Sequence, residues 1–168
     1  MRTILLGLII SLATIAQAQI PELGISKYFA DTSTITFDDP QPGQYIIMYP
    51  KKFISDTTVK KKMVDDRFFD TLYTIIEALP GCTFEIGFHT DSEGSSTRNH
   101  NFTMRRSISF TAYLTRYCMI PRERIYYRGY GETELLYPCL PADSCTAEMR
   151  AKNQRMEFVI CEVGDTLR

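Results

Sequence analysis

The chain has 168 residues, 44% of them hydrophobic and 23% charged, with a formal net charge of −1. That is enough for one domain with a real core, and the composition is that of a soluble globular protein rather than a disordered or fibrous one. A charge this close to zero gives no electrostatic ground for a nucleic-acid partner or for an anionic membrane surface.

Residues 1–18 have the pattern of a secretory signal, with Arg2 as the charged start, Ile4 to Ile15 as the apolar run and Ala16-Gln17-Ala18 as the cleavage site. The apolar run is too short to span a bilayer comfortably, so no transmembrane segment is expected after cleavage. Gln19, Ile20 and Pro21 follow, so no cysteine stands at the new N-terminus to carry a lipid. Residues 19–43 read as a polar tail with one short strand, Thr34 to Phe37, and a turn at Pro42-Gly43. The tail is a segment able to reach an envelope protein. Residues 44–163 are expected to form the domain and residues 164–168 a C-terminal tail.

Within the domain, Gln44 to Tyr49 predicts a buried strand between Gly43 and Pro50. Lys60-Lys61-Lys62 reads as a solvated run. Phe68, Phe69, Leu72, Ile75, Ile76 and Leu79 recur at helical spacing, predicting a helix over about 65–79 that Pro80-Gly81 stops. Thr83 to Phe88 alternates as a strand, and the turn-rich Ser92 to Thr97 follows. A second helix, capped near Asn99 or Asn101, runs to about Cys118. Arg124 to Tyr130 predicts a strand, with Gly129 and Gly131 marking a bend. Thr146 to Lys152 predicts a helical turn, and Met156 to Val163 a closing strand with Phe158 and Ile160 on one face. The order β-α-β-α-β-(α)-β implies an α+β fold, with helices covering one side of a mixed four-stranded sheet.

Cys82, Cys118, Cys139, Cys145 and Cys161 all lie beyond the cleavage site, in a compartment where disulfides persist. Cys139 and Cys145 flank a short loop and are expected to pair. Closing so small a loop is worth about 2 kcal/mol. Five is odd, so at least one thiol is left over or intermolecular. No CxxC or HxxxH spacing is present, so no metal site or other cofactor is expected, and thioredoxin-like chemistry is disfavoured.

The chemistry concentrates between Phe84 and Leu114. Phe102, Phe110, Tyr113, Leu114 and Tyr117 fall on one helical face, and Arg106 stands four residues from both Phe102 and Phe110. A guanidinium in an apolar stripe is costly unless paired. Asp91, at the end of the strand that feeds the helix, is the partner best placed for it. Two readings follow. The pair is either a structural tie between loop and helix, or a two-pronged site in which Asp91 takes a ligand ammonium and Arg106 a ligand carboxylate. His89 has no Ser or Cys nucleophile placed with it, and Asp91 and Glu93 sit too close on one loop to flank a glycosidic bond. No enzyme is expected.

The sequence resembles the OmpA C-terminal-like family, periplasmic domains that bind peptidoglycan. The likeness rests on Phe88-His89-Thr90-Asp91, Gly94, Asn99, Phe102-Thr103, Arg106-Ser107, Phe110 and Tyr113-Leu114. Arg124-Ile125, Gly129-Tyr130-Gly131-Glu132 and Asn153-Gln154-Arg155-Met156-Glu157 follow in the family's order. Phe88, Phe102, Thr103, Ser107 and Gln154 stand where the family usually has Gly, Leu, Ser, Ala and Arg. The resemblance implies the family's two-layer fold and a periplasmic or outer-membrane-associated location. It also implies that Asp91 and Arg106 clamp the side-chain ammonium and carboxylate of meso-diaminopimelate in the stem peptide. Thr90 and Asn99 are candidates to orient that ligand, Asn99 alternatively as a helix cap, and Arg155 is a candidate at the pocket's edge.

Overall fold

The computed structural model describes residues 35, 38–49, 66–139 and 144–164, with only the backbone given for 66–71. Strand β1 is Tyr45–Met48, helix α1 Asp66–Ala78, strand β2 Cys82–His89 and helix α2 Ser96–Tyr117. A 3-10 turn, Arg122–Arg124, leads into β3, Ile125–Gly131; helix α3, Ala147–Asn153, precedes β4, Met156–Val163. All but Ile35 of the strand expected at 34–37, the lysine run and the signal segment lie outside the described residues.

The sheet order is β1-β4-β2-β3. β4 lies antiparallel to both β1 and β2, while β2 and β3 are parallel. The strands joined through α1 and α2 therefore run in one direction, and the last strand fills the slot between β1 and β2. That slot explains the composition of β4. A strand with a neighbour on each side and helices on one face buries Met156, Phe158 and Ile160, while Glu157 and Val159 turn to the other face.

The core lies between α1, α2 and the inward residues of the sheet. Leu72, Ile75 and Ile76 of α1, with Leu79 just after it, cluster with Phe110 and Leu114 of α2 and with Phe84, Ile86, Phe88 and Phe158 of the sheet. Phe84 and Phe158 stack at 4.5 Å, and Phe88 meets Phe110 edge-on at 5.9 Å. Phe88 is thus core. The short α3 buries only Asn153, whose amide brackets the Tyr137 backbone by donating to its carbonyl and accepting from its N–H.

Two sequence expectations are corrected. Arg124 is not the first residue of a strand. Its guanidinium reaches back to the carbonyls of Ile76, Leu79 and Cys82, at 2.9, 2.6 and 3.1 Å. It supplies the C-terminal cation that α1 itself lacks. The apolar stripe of α2 also ends sooner than its spacing implies. Tyr117 is 65% exposed and touches Tyr113 at the helix end, and Phe102 is only half-buried. The face pressed on the sheet is instead made of Asn99, Thr103, Ser107, Phe110 and Leu114.

Small residues are needed there because α2 crosses β3 almost in contact. A Cβ at Gly129 would stand 2.2 Å from Met104 N and 2.5 Å from Met104 Cα, both helix backbone. Gly131 has φ 58° and little more room, its Cβ position being 2.9 Å from His100 N. These glycines make a seat for the helix as well as a bend. Thr103 Oγ1 accepts from Gly131 N–H at 3.0 Å, and Ser107 Oγ donates to the Arg128 carbonyl at 2.6 Å. α2 thereby satisfies part of the outer edge of β3, which would otherwise present unpaired backbone groups.

Candidate functional site

The site forms where β2 ends. Backbone bonds fix that end from both sides: His89 N–H donates to the Arg155 carbonyl at 3.0 Å, and Thr90 N–H to the Gly131 carbonyl at 2.8 Å. The chain then turns through Asp91 to Ser95, with Gly94 at φ 99°. The helix starts earlier than expected. Ser95 is the cap, its Oγ accepting from Arg98 N–H at 3.3 Å, and neither Asn99 nor Asn101 is.

Asn99, in the first turn, does other work. Its amide donates to the Glu93 carbonyl at 3.0 Å, to the Asp91 carbonyl at 3.4 Å and to the Glu132 carboxylate. One buried side chain so ties the loop, the helix and the segment after β3 together. This is why a short loop rich in Gly and Ser holds a defined shape.

Loop and helix enclose a cleft of about 380 Å³, a volume suited to a small ligand. Asp91, Arg106, Thr90 and Asn99 all line it. Asp91 is 5% exposed, and its two oxygens are separately held. Oδ1 accepts from Glu93 N–H at 3.2 Å, and Oδ2 from the Gln154 carboxamide at 2.7 Å. Arg106 is half-buried, and its guanidinium lies over the Phe102 ring at 4.1 Å. Burial lowers its pKa to about 10, which leaves it charged at neutral pH. The cation–π contact accounts for an arginine in that stripe and turns the flat guanidinium into one wall of the cleft. An anion with fixed oxygens and a planar cation facing one small volume can hold a zwitterion.

Arg155 does not line the cleft. It is 3% exposed, and its Nε donates to Glu157 at 2.6 Å. Glu157 in turn lies 3.6 Å from His89, whose imidazole stacks on Tyr130 at 4.4 Å. Burial alone would raise the Glu157 pKa. The nearby imidazole of His89 and guanidinium of Arg155 outweigh it and hold the carboxyl at about 2. Arg155 thus belongs to a buried charge cluster behind the cleft.

Motif spacing does not single out Glu93, Arg98 or Phe102 as lining residues. Gln154 lies 63 residues from Asp91. Its place beside Arg155 in the closing motif was the one signal for it. Cys139 and Cys145 form the expected disulfide, with Cα atoms 5.2 Å apart, while Cys82, Cys118 and Cys161 are in none among the described residues. Among the described residues no group of three or more His, Cys, Asp or Glu side chains is placed to hold a metal, and no helix is long and apolar enough to cross a membrane.

No family model and no curated sequence matches the chain. Solved structures do. A MotB-like protein from Desulfovibrio vulgaris is similar over 90% of this chain and 90% of its own, with 18% identity and a TM-score of 0.68. The periplasmic domain of Helicobacter pylori MotB matches over 76% of this chain and 80% of its own, with 17% identity and a TM-score of 0.56. The peptidoglycan-associated lipoprotein from Burkholderia pseudomallei matches over 68% and 88%, with 14% identity and a TM-score of 0.53. At such identities the likeness is one of fold. The chain has the α+β architecture of these proteins, with its one mixed four-stranded sheet.

Proposed function

We propose that this protein binds peptidoglycan non-covalently, through the diaminopimelate residue of the stem peptide, and so anchors or links the cell envelope. The observation that carries the reading is that Asp91 and Arg106 both line one cleft of about 380 Å³. A side-chain amino acid terminus is one ammonium beside one carboxylate, and the cleft offers one partner to each. Each charge-assisted contact nets about 1.5–3 kcal/mol, so the two together supply about 3–6 kcal/mol toward the roughly −8 kcal/mol of a micromolar complex, with the Thr90 hydroxyl alongside. The fold shared with a peptidoglycan-associated lipoprotein and with MotB periplasmic domains supports the same reading. Export by residues 1–18, residence in the periplasm or at the outer membrane, and a link to an envelope protein through residues 19–43 belong to this proposal.

The test is co-sedimentation with purified sacculi. Wild type is expected to pellet, and Asp91→Ala and Arg106→Ala to stay largely in the supernatant, a loss of tenfold or more in affinity for about 1.5 kcal/mol or more. Undiminished pelleting of both variants would refute the site. A second reading is a protein-interaction module of the same fold that leaves cell wall alone. The Gln154 carboxamide already on Asp91 Oδ2 favours it. Diaminopimelate at high concentration should raise the melting temperature under the first reading and leave it unmoved under the second. The protein is read as a binder and not an enzyme, which release of soluble muropeptides from sacculi would overturn.

A further inference from the structure

The next step rests on the cell-wall reading of the cleft and extends it outward to a second anion subsite. Arg98 lines the same cleft as Asp91 and Arg106. It is exposed, and among the described residues its guanidinium makes no ion pair or hydrogen bond; only its backbone N–H is engaged, by the Ser95 cap. Its position runs against helix stability. Arg98 lies in the first turn of α2, a turn that holds no acidic side chain, where the positive end of the helix dipole disfavours a cation. A cation kept against that field makes the mouth of the cleft doubly favourable to an anion.

A second feature marks the cleft as built for a polar ligand. Thr90 lines it, is 7% exposed, and its hydroxyl meets no hydrogen-bond partner among the described residues. Buried hydroxyls nearly always find a partner.

The spacing of the two arginines along the helix gives a scale for the ligand. Arg98 and Arg106 are eight residues apart on one helix, about 12 Å of rise. In a diaminopimelate acylated by a γ-linked glutamate, eleven bonds separate the side-chain carboxyl carbon of the first from the α-carboxyl carbon of the second. Extended, that is about 12–13 Å. We propose that Arg98 is a second carboxylate subsite, which takes the free α-carboxylate of the γ-linked glutamate while Arg106 takes the diaminopimelate carboxylate.

The test is calorimetric titration of the full-length protein and its Arg98→Gln variant with two probes. One is γ-D-glutamyl-meso-diaminopimelate, and the other is the same dipeptide with the glutamate α-carboxylate converted to a carboxamide. Wild type is expected to bind the acid about tenfold tighter than the amide, and Arg98→Gln to bind the two alike. A melting temperature for Arg98→Gln at or above wild type shows that the loss is not one of folding. Equal binding of the two probes by wild type, or a preference that survives in Arg98→Gln, overturns the subsite alone. Binding of neither probe by wild type overturns the cell-wall reading and the subsite with it.

Discussion

Glu157 is a residue whose charge bears directly on the folded state. It sits between Arg155, itself nearly inaccessible, and His89, and its pKa is held at about 2. A folded pKa below the unfolded one stabilises the protein above the unfolded value and loses that contribution as pH falls toward the folded value. The window is therefore from about pH 4.3 down to about 2, and the amount at most about 3 kcal/mol. Replacing Glu157 by Gln leaves Arg155 buried without its carboxylate, which is costly near neutrality. Urea midpoints of wild type and Glu157→Gln should lie far apart at pH 7 and draw together by pH 2; a gap that stays constant would refute this account. At the same scale, Asn99 illustrates what a motif leaves out. Its identity and place before the helix suggested a cap or a ligand contact. Its actual partners, the carbonyl of Glu93 and the carboxylate of Glu132, come from the loop and from beyond β3. No local pattern encodes a contact across 33 residues.

Among the elements, α2 and β3 form the unit on which the cleft depends. The helix must lie close enough for Thr103 and Ser107 to reach the β3 backbone, and Gly129 permits that approach. Alanine at Gly129 would press its methyl into the backbone at Met104, and backbone cannot rotate away. Gly129→Ala is expected to cost about 3 kcal/mol, at the upper end of overpacking, and to weaken ligand binding because Arg106 rides on the displaced helix. Chemical denaturation checks the first part and sacculus pelleting the second. A variant as stable as wild type would mean that the helix tolerates a shift that its contacts do not suggest. The elements themselves were largely legible. β2, β4 and α1 fall within a residue or two of their predicted bounds because their periodicity is strong. The start of α2 was missed by four residues or more, because Ser92 to Thr97 offers several capping hydroxyls and only geometry selects Ser95.

At the scale of the whole molecule, the disulfide and the core are separate. Cys139 and Cys145 join across a short loop, and neither belongs to the apolar cluster that α1, α2 and the sheet share. Replacing both by Ser should lower the unfolding free energy by about 2 kcal/mol, the loop-closure value, with the far-ultraviolet circular dichroism of the native state unchanged. A collapse of the spectrum at room temperature would show instead that the bridge organises the fold. The sequence by itself determined which segments are strand and helix and that they form an α+β domain, and it singled out Asp91 and Arg106 as candidates for one site. Those features rest on local periodicity and on one short stretch of chain. Only the tertiary structure decided that β4 lies between β1 and β2, that Arg155 turns to Glu157 behind the cleft, and that Gln154 and Arg98 line it. The physical reason is that each of these depends on packing between segments distant in sequence. Side-chain volume, backbone clearance and buried charge settle such contacts together, and none of the three can be read from one stretch alone.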